Sequence, residues 1–170
     1  MFGVWARALS ARGMGRTIAL AAVAAGCASG PTLRDGVYRD PAQQWTIAAP
    51  PPGWTRVEVE DTALAFRGPG DASMAVTSRC EGAVGSAAVM AQRLRAGLGP
   101  SQLVETRGLD LAGRPAERQL LALPNTRVAA VTRAAPPCVQ DFVLVAPRDF
   151  DAALRVFDAW WTSFAPESSR

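Results

Sequence analysis

"TRVAAVTRA", Thr126 to Ala134, and "CVQDFVLVA", Cys138 to Ala146, stand on either side of the short break "APP". Two extended runs joined by so short a break predict a β-hairpin, and hairpin-length joins mean antiparallel pairing. Upstream, "QLVETRGLDLAG" and "RPAERQLLAL" are two more extended runs joined near Gly113. Downstream, Phe150, Ala153, Phe157, Trp161 and Phe164 recur at helical spacing, with Asp149 placed as the N-cap. That stripe predicts a closing helix packed on the sheet.

The N-terminal half repeats the pattern. "GVYRD" and "WTIAAP" are extended, with Trp45, Ile47 and Ala49 on one face. "PPPGW" makes a turn. "TRVEVED" puts Val57 and Val59 inward, "TALAFRG" pairs Leu64 with Phe66, and "GPGD" turns into "SMAVTSRC". A first helix follows, capped by Ser86, with Val89, Met90, Leu94 and Leu98 at helical spacing and Gly99-Pro100 as its stop. The order is strands, helix, strands, helix. We expect an α+β class, a single domain at 37–166 whose antiparallel sheet is covered by two helices, and a short tail at 167–170.

The leader sets the expected address. "MFGVWARALSARGMGR" carries only positive charge, and "TIALAAVAA" is apolar but shorter than the roughly 20 residues that cross a bilayer. Residues 1–26 therefore read as a signal peptide, with Met14 as an alternative start. "AAGC", Ala24 to Cys27, resembles the lipobox of bacterial lipoproteins, although Ala24 stands where a larger aliphatic is usual. The resemblance implies acylation of Cys27, with 27–36 as lipidated cysteine and flexible tether. The alternative is ordinary signal cleavage, for instance after Ala28, with Cys27 lost. Ala28 in the next position resembles lipoproteins sent to an outer membrane, so the expected place is the cell envelope, facing the periplasm.

Export puts Cys80 and Cys138 in an oxidising compartment. Each closes or opens a strand on its more apolar side, and neighbouring antiparallel strands would bring these ends together. We expect a disulfide; the alternative is two buried thiols.

Composition excludes several chemistries. The chain of 170 residues has no His, which removes Ser-His-Asp and Cys-His catalysis and His-ligated zinc. All 18 basic residues are Arg, and three of them, Arg7, Arg12 and Arg16, precede the apolar run; setting those aside leaves 15 Arg against 15 Asp plus Glu. A neutral mature domain gives no electrostatic reason to expect nucleic acid. Glu58 and Glu60 share a strand face but lack the six to eight oxygens of a calcium cage. "GPGDAS" has neither the spacing nor the Lys of a phosphate loop. No catalytic set, cofactor site or metal site is expected.

A strand, then "IAAPPPGW", "ALAFRGP", "MAVTSRC", the helix "VMAQRLRAGL", "CVQDFVLVAP" and a closing aromatic helix together resemble the PsbP-like fold. They resemble small bacterial envelope lipoproteins of that fold more closely still. The resemblance implies a non-catalytic accessory or binding module acting on an unidentified envelope protein or complex, attached to the membrane by its lipid. Two other readings remain at this point. One is a carrier of lipid or small apolar ligands, with Trp45, Trp54, Trp160 and Trp161 lining a pocket. The other is a His-independent hydrolase built on two converging carboxylates.

Overall fold

The computed structural model describes residues 30–80 and 84–167 of the chain. In chain order these form β1 (Thr32–Arg34), β2 (Val37–Asp40), β3 (Trp45–Ala48), β4 (Thr55–Val57), β5 (Leu64–Arg67), β6 (Ser73–Arg79) and α1 (Ala87–Gly97). Then come β7 (Gln102–Leu111), β8 (Arg114–Leu123), β9 (Thr126–Ala135), β10 (Cys138–Ala146), α2 (Phe150–Thr162) and β11 (Ala165–Pro166). A seven-stranded sheet runs β4-β5-β6-β10-β9-β8-β7, and a four-stranded sheet runs β1-β2-β3-β11. Every pairing is antiparallel.

The β9–β10 hairpin is the spine. Val131 lies opposite Phe142 and Ala129 opposite Leu144. These side chains belong to the main core with Phe157, Trp160 and Phe164. Because side chains alternate across a strand, the adjoining pair Thr132 and Asp141 points to the other face. The β7–β8 hairpin turns on Ala112 and Gly113, both left-handed (φ 51° and 72°), and Asp110 Oδ1 accepts from the Gly113 N–H at 2.8 Å. Two left-handed central residues match the twist of the flanking strands.

The anticipated stripe is buried throughout, and Trp160 with it, although its last member, Phe164, lies just past the end of α2. Edge-on ring pairs fix the packing, with Phe66 and Trp160 centroids 5.7 Å apart and Phe142 and Phe164 5.2 Å apart. Asp149 does precede the helix, but not as a side-chain cap. Its backbone is left-handed (φ 48°), its carboxylate bonds no helix N–H, and its carbonyl accepts from Ala152 and Ala153 instead. Ser86 does cap α1, accepting from the Val89 N–H at 3.3 Å.

Three expectations are corrected. First, α1 buries Ala87 and Ala91, whereas Val89 is 43% exposed and Leu94 and Leu98 are half-buried. Small residues let a helix approach a sheet closely, and here that counted for more than the apolar spacing. α1 meets β8 and β9, where Leu121, Val128 and Ala130 are buried outside the α2 core. It therefore covers only part of the face opposite α2, and the fold is dominated by strands rather than by a sheet fully roofed by helices. Second, β4 ends at Val57, so Val59 is outside and 51% exposed. Third, Thr32–Arg34 pairs with β2, so the folded domain begins inside the stretch expected to be tether.

Two arginines are buried in the sheet. Arg118 bonds Asp158 of α2 through Nε and Nη2, at 3.3 and 3.2 Å. Arg133 donates to the Leu111 carbonyl and to Gln140 Oε1, both at 2.9 Å, and stacks on Phe164. Burial pushes the Arg133 pKa below the ordinary arginine value; Arg114 adds to this and Asp110 opposes it.

Candidate functional site

The partial cover given by α1 leaves a recess beside it, a cleft of about 760 Å³. Thr77 and Asp141, on strands of the sheet, form its floor, and Leu94 of α1 and the turns at Asp40–Gln43 and Asp61–Ala63 line its sides. Gly30 and Pro31 stand at its edge. Arg56 Nη1 donates to the Pro31 carbonyl at 3.0 Å and so fixes where the chain enters the domain.

The floor is a closed ion pair. Asp141 is 2% exposed; its Oδ2 accepts from Arg79 at 2.8 Å and its Oδ1 from the Thr132 hydroxyl at 2.7 Å. Both oxygens are engaged, so Asp141 is an anchor rather than a free acid or base.

The turn after β2 is built differently. Asp40 ends the strand opposite Trp45 and is 5% exposed. Its Oδ1 accepts from the N–H groups of Ala42 and Gln43, at 2.9 and 3.0 Å, the self-capping that makes Asp a turn residue. No donor reaches its Oδ2 among the described residues. Gln43 fastens the turn to β6 by donating Nε2 to the Ser78 carbonyl, and its Oε1 is buried without a donor. Asp61, on the opposite turn, is exposed. The cleft thus offers acceptors, and its single basic lining residue, Arg79, already faces Asp141.

Cys27 lies outside the described residues. Cys80 and Cys138 sit one step beyond the Arg79–Val139 register pair, and their sulfurs are bonded at 2.14 Å. Trp45, Trp160 and Trp161 are packed in the core rather than lining a cavity. Trp54 borders a depression of about 130 Å³. Glu58 and Glu60 are exposed, and no group of three His, Cys, Asp or Glu is placed to hold a metal among the described residues. Asp40 and Gln43 were not picked out from the sequence, because a short polar turn carries no chemical signature until the fold sets it over a cleft.

No family model matches the sequence, and no curated protein does. The structure does have relatives. Cyanobacterial PsbP (CyanoP) from Synechocystis sp. PCC 6803 superposes with a TM-score of 0.60 at 18% identity, over 76% of this chain and 91% of that one. The fold is PsbP-like. A Bacteroides thetaiotaomicron protein aligns more loosely, with a TM-score of 0.46 at 10% identity, over 81% of this chain and 50% of its own. At 18% identity the PsbP-like likeness concerns the fold alone.

Proposed function

We propose that the chain is a bacterial envelope lipoprotein, acylated at Cys27 once residues 1–26 are removed. Its PsbP-like domain acts as a non-catalytic module that docks on another envelope protein. The observation that carries the reading is the leader ending in "AAGC", followed so soon by folded structure. Only residues 28–31 separate Cys27 from β1. At about 3.5 Å per residue, that leash reaches less than about 20 Å. Two acyl chains contribute on the order of 20 kcal/mol of membrane affinity, at about 0.8 kcal/mol per methylene. The domain is then held close against its membrane, outer-membrane sorting being favoured by Ala28, and its partner must lie within that reach.

The cleft beside α1 is the docking surface this reading selects. A photo-crosslinking amino acid at Thr62, on the cleft rim, is expected to give one discrete adduct in cells, while the same group at Val104 on β7 gives none. A chain that stays monomeric from both positions contradicts the docking reading.

A further inference from the structure

We propose that the cleft beside α1 is a binding site for an alkylammonium or guanidinium group, with Asp40 and Gln43 as its recognition pair. Asp40 is buried, yet no cation pairs with it among the described residues, and only one of its oxygens is satisfied. The second oxygen is left for a donor that enters the cleft, and a charged donor makes the stronger hydrogen bond to a carboxylate. Gln43 cannot supply that donor by turning its amide over. Its Nε2 is committed to the Ser78 carbonyl, and the flipped amide would set oxygen against oxygen. Asp40 Oδ2, which accepts no protein hydrogen bond but is not sealed from solvent, and Gln43 Oε1, which is buried without a donor, therefore belong to one turn that lines one cleft.

The surroundings select the class of ligand. Arg79, the basic residue of the lining, is held by Asp141, so it does not compete for Asp40. Asp61 adds a second negative charge to the lining, and Leu94 offers apolar surface for an aliphatic stem. Several donors on one positive head, carried on a methylene chain, match these features better than an anion or a flat apolar molecule. In a docking module the head would belong to a Lys or Arg of the partner, and only this choice of source rests on the function proposed above.

Amide shifts of the full chain, titrated with acetyl-arginine amide, with a peptide carrying one central arginine and with Ca²⁺, test the site. The expected result is saturable movement of the Ala42 and Gln43 amides with both arginine probes. Asp40→Asn should weaken it about tenfold or more, since hydrogen bonds to a charged group are worth about 1.5–3 kcal/mol. Asn keeps the oxygen that caps the turn, so the fold survives the change. Asp151→Asn on the exposed side of α2 should leave the affinity unchanged. A peptide that binds about tenfold more tightly than the amide supports the site with a protein source, and equal affinities support it with a free amine. No saturable response to either arginine probe, equal binding by Asp40→Asn, or a response to Ca²⁺ alone overturns the assignment. A chain that binds the probes but is never acylated leaves this site standing and removes the anchor.

Discussion

The indole of Trp54 lies directly on the backbone of Gly68: a methyl group at position 68 would stand 2.6 Å from Cδ2 and Cε2 of the ring. The contact ties the turn that enters β4 to the turn that leaves β5. Gly68→Ala should lower stability by about 1–3 kcal/mol, the usual effect of overpacking. In a Trp54→Ala background the same change should alter stability by less than about 0.5 kcal/mol, because the obstructing ring is gone. Urea unfolding of the four proteins measures both.

The faces of the two helices can be separated by mutation. Phe157 is fully buried in the α2 core, so Phe157→Ala should cost about 3–5 kcal/mol. Val89→Ala on α1 should stay within about 0.5 kcal/mol, as exposed substitutions do. Ala91→Leu should cost about 1–3 kcal/mol, because Ala91 is the side chain wedged against the sheet. The reverse order for Val89 and Ala91 would show that α1 is turned about its axis relative to this description.

How much of this was legible in the sequence depends on what carried the signal. The β7–β8 and β9–β10 hairpins, the α2 stripe and the Ser86 cap all announce themselves through local pattern, and the structure holds them where they were expected. α1 misled because its largest apolar residues are not the ones it buries. Sequence spacing records hydrophobicity, while the approach of helix to sheet is set by the small size of Ala87 and Ala91. Asp149 looked like a cap by type, but its left-handed backbone turns the carboxylate away from the helix N–H groups. Thr32–Arg34 is exposed and only three residues long, and it becomes a strand because β2 offers it an edge. The cleft was invisible for a different reason. Its lining comes from segments spread between Gly30 and Asp141, and no local pattern joins them.

The disulfide closes the chain across β6 and β10 with a sequence separation of 58. In the chain-entropy model a loop of that length contributes ~4 kcal/mol. A Cys80→Ser, Cys138→Ser double variant should therefore lose up to about 4 kcal/mol in urea unfolding, and a reducing agent should bring the wild type to the same midpoint. Two alkylatable thiols in the untreated protein would show that the bridge does not form.

Ala112 is held left-handed at the first position of the β7–β8 turn, where an alanine side chain costs about 1–2 kcal/mol. Ala112→Asn would place Asn-Gly in the turn, the pair best suited to two left-handed residues. The variant should gain about 0.5–1 kcal/mol, read as a raised thermal midpoint. An unchanged or lowered midpoint would contradict the turn geometry.

Tethering of the domain to its membrane depends on acylation of one sulfur, that of Cys27. Metabolic labelling with a palmitate analogue, followed by separation of membranes, compares the wild type with Cys27→Ala in one experiment. The account predicts a labelled wild-type protein in the membrane fraction and an unlabelled variant that no longer sediments with it. An unlabelled wild-type protein recovered in the soluble fraction would contradict it.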